Sequence, residues 1–194
     1  RLNKKIYEDI NLSLSIGKTI LLSGKNGAGK TTFIKTIINI LKPDSGNIYW
    51  KGKEINKNLY DFFNNVTYIS DKPTSIKYLT IKENIKIWKK FFLSNIDDEQ
   101  IKNILSTLKL YEIANLKARN LSLGEIKKLE MLRLVIENKK VWILDEPLSN
   151  LDSGSLDIIK QTFDDHCNNG GSIIFTSHQK TIININEEII IKDV

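Results

Sequence analysis

At 194 residues the chain is long enough for one sizeable α/β domain with a small subdomain and too short for two full catalytic domains. A hydrophobic fraction of 41% with 27% charged residues is ordinary for a globular fold and excludes a disordered or low-complexity chain. The net charge of +6 is spread along the sequence without a dense arginine cluster, which leaves solvated lysine faces, an anionic ligand and a membrane surface as its readings.

The opening "RLNKKIYEDINLSLSI" reads as the continuation of a β-rich segment whose first strand precedes Arg1. "TILLS" follows as a buried strand. From Leu21 to Lys35, "LLSGKNGAGKTTFIK" passes through three glycines into a helical period, carried on by Phe33, Ile34, Ile37, Ile38 and Leu41 and stopped by Pro43, Asp44 and Gly46. "NIYW" and "VTYIS" read as strands. "LTIKENIKIWKKFFL" and "DDEQIKNILSTLKLYEIA" are consecutive amphipathic helices with no strand between them, so residues 74–118 read as a helical subdomain. Residues 1–73 and 119–194 then form the α/β core.

"VWILD", "SIIFTS" and "EIIIKD" complete the strands, and several of the set are apolar on both faces, as buried parallel strands are. His166 and Cys167 close the helical stretch "LDIIKQTFDDHCNNGG" and read as packing. Cys167 is the one cysteine, so no disulfide can form within the chain, and a reducing compartment suits it. There is no run of about 18 apolar residues to span a membrane and no signal-peptide order at the N-terminus. Neither an internal repeat nor a Gly/Ser-rich linker is present.

Gly24, Gly29, Lys30 and Thr31 satisfy G-x-x-x-x-G-K-[ST] between a predicted strand and a predicted helix. A phosphate needs each part: glycines let successive backbone N–H groups point inward, and the helix N-terminus adds partial positive charge. Lys30 reaches the β/γ-phosphates and the Thr31 hydroxyl helps to hold Mg²⁺. In "VWILDEPLSNLD" a buried strand delivers Asp145 to its C-terminal end, where a carboxylate can serve the metal, and Glu146 beside it can act as general base on the attacking water.

"NLSLGEIKKLEMLRLVIE" carries two readings. Ser122 with Glu125 three residues on is a capping box, and the same helix start, with Gly124 in its first turn, offers N–H donors and a hydroxyl to an anion. His178, just past "SIIFTS", is either a solvated histidine or a group beside the γ-phosphate at the ligand edge of the sheet.

This ordered set resembles the ATP-binding cassette (ABC) ATPases over nearly the whole chain. "GKNGAGKTT" resembles the Walker A loop, "LSLGE" the family signature, "VWILDEP" Walker B, "SNLD" the D-loop and "SHQ" the switch histidine. The resemblance implies a P-loop NTPase core with a mostly parallel sheet and an inserted helical subdomain. It implies ATP and Mg²⁺ as cofactors, with Gly24, Asn26, Gly27, Gly29, Lys30, Thr31 and Thr32 around the nucleotide. Asp145 and Thr31 would hold the metal, Glu146 and His178 would be catalytic, and Asp152 would be the D-loop acid.

Such subunits work as a head-to-tail pair, so Ser122, Gly124 and Glu125 of one copy would close on the ATP of the other. They also dock on an integral membrane permease at the cytoplasmic face of the inner or plasma membrane, and no direct nucleic-acid contact is expected. Two positions depart from the family pattern. Asp71, in "YISDKP", stands where a glutamine approaches the metal and could act through water; Leu123 replaces the first of two signature glycines. The aromatic residue that stacks on adenine would precede Arg1. The compact length, the histidine followed by "GG" before "SIIFTSHQ", and the short helical subdomain resemble the haem-exporter type of subunit that serves cytochrome c maturation. The alternatives are a non-transport ABC ATPase acting on DNA or ribosomes and a low-turnover regulatory module.

Overall fold

The computed structural model describes residues 5–178 and 183–192. Gln179 of "SHQ" and the residues of the opening before Lys5 lie outside them, as does any aromatic ahead of Arg1. Five strands pair side by side: β1 (Thr19–Ser23), β4 (Val66–Ile69), β5 (Val141–Leu144), β6 (Ser172–Thr176) and β7 (Glu187–Ile190). Their order is β4-β5-β6-β1-β7 and every pairing is parallel. The C-terminal ends of β1, β4, β5 and β6 therefore share one edge. The chain leaves that edge at Gly24, Ser70, Asp145 and Ser177, so the predicted site residues are gathered by topology before any side chain is considered.

Alternation along the strands assigns the two faces. Ile20, Leu22, Ile143 and Ile174 pack with Phe33, Ile34 and Ile38 of the α1 segment (helix Lys30–Ile37). Leu21, Trp142, Leu144, Ile173 and Phe175 face the opposite way, onto α5 (Leu123–Glu137) and α6 (Ser153–Asn168). A third cluster joins α3 (Ile81–Phe91) and α4 (Asp98–Thr107) to Leu129, Leu132 and Ile136 of α5. Both predicted helices of the middle block begin with capping boxes, Thr80 with Glu83 and Asp97 with Gln100. Helix α5 is thus covered on nearly all sides, by the sheet and by α3 and α4.

Three local expectations change. Residues 5–16 form no strand; Tyr7, Ile10, Leu12 and Leu14 instead pack against the cluster beside α1. "NIYW" contributes only β2 (Tyr49–Trp50), paired antiparallel with β3 (Lys53–Glu54) in a hairpin outside the main sheet. The first helix stops at Ile37 because Asn39 turns the backbone to φ 60, leaving Ile40 and Leu41 exposed. A short helix that the periodicity did not suggest, α2 (Leu59–Asn65), leads into β4 and buries Phe62.

His166 and Cys167 do pack. The imidazole lies flat on the Trp142 ring, with centroids 3.5 Å apart and planes within 8°, and its Nε2 is 3.2 Å from the Lys140 carbonyl oxygen. Cys167 Sγ meets the Thr19 hydroxyl at 3.3 Å, and burial pushes its thiol pKa up. Burial likewise lowers the His166 pKa from 6.5 to about 4, against the hydrogen bonds to the Lys140 and Ser172 backbones.

Between those two values the unfolded chain binds a proton that the folded chain refuses. The neutral-His166 contribution to stability is therefore complete above pH 6.5 and is lost as pH falls from 6.5 toward 4. Urea midpoints measured across this window should fall with acidity in the wild type, and His166→Gln should flatten that part of the profile.

Candidate functional site

The loop after β1 is shaped by its backbone. Gly24 has φ 142, and a Cβ there would fall onto the carbonyl oxygen of Ile191, so only glycine fits. Ala28 is buried in the cluster beside α1 and pins the far side of the loop. Gly29, also left-handed, caps α1, and its carbonyl accepts the first helical bond from Phe33 N–H at 2.8 Å. The loop tip at Asn26 and Gly27 is exposed and Thr32 is half-buried.

Lys30 opens the helix, buried, and folds its ammonium back into the loop. Nζ donates to the Gly24 carbonyl at 2.8 Å and to that of Lys25 at 3.2 Å, and lies 4.0 Å from Glu146 Oε1. One residue on, the Thr31 hydroxyl donates to Asp145 Oδ2 at 2.7 Å. Asp145 is 1% exposed, and its other oxygen, Oδ1, accepts from the Thr176 hydroxyl at 2.8 Å. Its backbone N–H donates to the Ile69 carbonyl at 2.8 Å, which holds it in register with β4.

Glu146 then breaks from the strand, with φ 50. Left-handed backbone costs a branched or long side chain energy, and it persists where surrounding bonds enforce it. Here the Glu146 N–H donates to Thr176 Oγ1 at 2.7 Å, and its carbonyl accepts from the Ser149 hydroxyl at 3.0 Å. The side chain is directed at two cations or potential cations: Oε2 is 3.0 Å from His178 Nδ1 and Oε1 faces Lys30. Lys30, Thr31, Asp145, Glu146 and His178, contributed by one helix start and the ends of β5 and β6, form one contiguous set.

Asp71 is exposed on the loop after β4 and acts on the site through its charge, which is felt at Tyr68 and Lys127. Burial raises the Tyr68 pKa to about 12, aided by the charges of Asp145 and Asp71. Lys127, buried on α5, has its pKa lowered by burial, while Asp71, Glu130, Asp145 and Glu146 oppose the shift. Lys127 thus supplies positive charge behind an acidic cluster, and nothing in its sequence spacing announces it.

The start of α5 is the predicted capping box. Ser122 Oγ accepts from Glu125 N–H at 3.3 Å, and Glu125 Oε2 accepts from Ser122 N–H at 2.7 Å. Leu123 beside it is 68% exposed. This helix start does not join the Lys30 set within the chain. It packs on the "SNLD" turn: a Cβ on Gly124 would lie 2.7 Å from the Asn150 carbonyl oxygen. Asp152 caps α6 by accepting from Ser155 N–H at 2.8 Å, and Lys128 of α5 lies 3.4 Å from its Oδ2. The backbone bond from Ser155 leads in holding the Asp152 pKa down at about 2, with the Lys128 charge adding to it.

The family described as ABC transporter matches residues 7–149, which is most of the chain. The chain belongs to this family. It is an ATP-binding ATPase subunit of the kind that powers a transporter, and such subunits dimerise and work with membrane permeases. Two curated relatives carry the name cytochrome c biogenesis ATP-binding export protein CcmA. That of Aliivibrio fischeri is 31% identical, over 94% of this chain and 89% of its own. That of Reclinomonas americana is 34% identical, over 98% of this chain and 86% of its own. A solved nucleotide-free ATP-binding cassette from an ABC transporter superposes with a TM-score of 0.71 at 26% identity, covering 91% of this chain and 77% of that one. No helix among the described residues is long and apolar enough to cross a membrane.

Gly24→Ala tests the loop's backbone requirement in this ABC subunit without touching charge. A left-handed alanine forced against the Ile191 carbonyl should lower stability by about 2 kcal/mol or more. Urea denaturation of the nucleotide-free protein reads this directly.

Proposed function

We propose that this chain is the ATP-hydrolysing subunit of an exporter that serves cytochrome c biogenesis, with haem as the cargo. The relatives that span nearly all of it bear that name. The observation that supports turnover is the Glu146 carboxylate held between Lys30 and His178, next to Asp145 and Thr31.

In this reading the loop amides from Gly24 to Gly29, with Asn26 and Gly27 at the tip and Thr32 behind, surround the phosphates of ATP. Lys30 exchanges its carbonyl partners for phosphate oxygens, a stronger charge-assisted contact. The Thr31 hydroxyl and the Asp145 carboxylate are hard oxygen donors 2.7 Å apart, a set that fits Mg²⁺, and Asp71 could add a water-mediated contact. When bound, the metal would neutralise phosphate charge. Glu146 accepts the proton of the attacking water, and His178 fixes the carboxylate's direction.

Residues 1–73 and 119–194 act as the catalytic core and residues 74–118 as the helical subdomain. Ser122, Gly124 and Glu125 meet the ATP of a second subunit, with Asp152 steadying the adjoining turn. The membrane-facing partner is an integral permease, and the subunit sits peripherally at the cytoplasmic face of the inner or plasma membrane.

Two substitutions separate binding from chemistry. Lys30→Ala should weaken ATP binding by about 10- to 100-fold in calorimetry, since a charge-assisted contact is lost from a site built around it. Glu146→Gln should keep ATP affinity while hydrolysis slows by about 10²-fold or more, because size and hydrogen bonding survive and the base does not. Wild-type turnover in Glu146→Gln would move the base elsewhere.

A further inference from the structure

Thr176 is the last residue of β6, directly after the apolar Ile173, Ile174 and Phe175. It is fully buried, and its hydroxyl lies between two consecutive acidic residues of the neighbouring chain segment. A hydroxyl has a single proton to give. Because Thr176 Oγ1 already accepts from the Glu146 N–H at 2.7 Å, that proton is directed to Asp145 Oδ1 at 2.8 Å. The direction of both bonds is therefore fixed.

Each bond does separate work. The one to Asp145 engages Oδ1, so that Oδ2 is the oxygen presented to Thr31. The one from Glu146 satisfies an N–H that lies past Leu144, the last residue of β5 paired with β6. It thereby holds the backbone from which the Glu146 side chain reaches His178. An apolar residue of the same shape would leave a buried carboxylate oxygen and a buried N–H without their donor and acceptor.

We propose that Thr176 is a positioning residue for ATP hydrolysis, its hydroxyl setting Asp145 toward the metal side and Glu146 toward the attacking water. This inference rests on the roles proposed above for Asp145 and Glu146. It requires Thr176 to affect turnover and metal-dependent nucleotide affinity while leaving metal-free nucleotide binding alone.

The test compares Thr176→Val, which keeps the shape, with Thr176→Ser, which keeps the hydroxyl; Glu146→Gln is assayed alongside. Nucleotide affinity is measured by calorimetry with Mg²⁺ and with EDTA, and kcat and KM by phosphate release. Groups that orient a metal ligand or base typically cost 10- to 100-fold when removed, so Thr176→Val should lower kcat by about tenfold or more. Its gain in ATP affinity on adding Mg²⁺ should shrink by at least about threefold, while KM and the EDTA affinity stay within about threefold of wild type. Thr176→Ser should recover kcat to within about threefold.

A Thr176→Val protein with wild-type kcat and an undiminished Mg²⁺ effect overturns the proposal. So does a Thr176→Ser protein as impaired as Thr176→Val, since shape would then be what matters. If Thr176→Val does not fold, Thr176→Cys replaces it on the same readouts, and parity with Thr176→Ser overturns the proposal. Full turnover in Glu146→Gln would instead sink the base assignment, and the Mg²⁺-dependent affinity of the Thr176 variants would still decide the link to Asp145.

Discussion

A carboxylate buried to 1% exposure at the end of a hydrophobic strand is the constraint around which the C-terminal edge of this sheet is organised. An ionised Asp145 in such surroundings costs several kcal/mol unless its oxygens are hydrogen-bonded. Both are: Thr31 reaches one from α1 and Thr176 reaches the other from β6. The bonds that offset burial also tie three segments together, so the polar chemistry and the alignment of the strand ends are one requirement. Glu146 takes its strained turn next to this junction, where its N–H finds Thr176.

Helix α5 meets a related difficulty on a larger scale. It lies between the sheet and the α3–α4 pair, yet it carries Lys127, Lys128, Glu130 and Arg133, all buried. Glu130 is satisfied by the N–H groups of Thr74 and Ser75 at 2.9 and 2.8 Å and by the Thr74 hydroxyl at 2.7 Å. Arg133 binds that same hydroxyl at 2.8 Å and pairs with Glu137 at 2.5 Å, and Glu137 accepts in turn from Thr67 at 2.9 Å. The segment that follows Asp71 is therefore fastened to α5 by buried, charge-assisted bonds. Such bonds are costly to break singly, since an unpaired buried charge remains. The same helix begins at the Ser122 cap, with Gly124 in its first turn.

At the N-terminus of α5 the Ser122 turn packs on the turn that holds Asn150. Gly124 admits the Asn150 carbonyl where a side chain would not fit, and Lys128 faces Asp152. Leu123, the departure from the family pattern, projects outward from this junction and is largely exposed. Its side chain bears on what meets the helix start from outside, and the packing within the subunit does not depend on it.

Much of this protein was legible in the sequence, for a reason that differs from element to element. The glycine loop after β1 is read from consecutive residues because its shape is local: glycines at fixed spacing permit the left-handed backbone, and Lys30 and Thr31 follow at the helix start. The capping box of Ser122 and Glu125 is equally local, as are the apolar runs of the parallel strands. The misread segments failed where apolar residues met no ladder partner. Tyr7, Ile10, Leu12 and Leu14 partly bury their side chains without strand pairing, and "NIYW" pairs only within a hairpin. The tertiary structure alone decided the rest. It brought Thr176 to Asp145 from 31 positions away, because the parallel order β4-β5-β6-β1-β7 sets the ends of β5 and β6 side by side, and the packing of α5 brought Glu130 to Thr74 from 56 positions away and Lys128 to Asp152. Periodicity and motifs record which face a residue buries and which backbone turn it permits; which polar group waits across the interface is fixed by register between segments that no local spacing encodes.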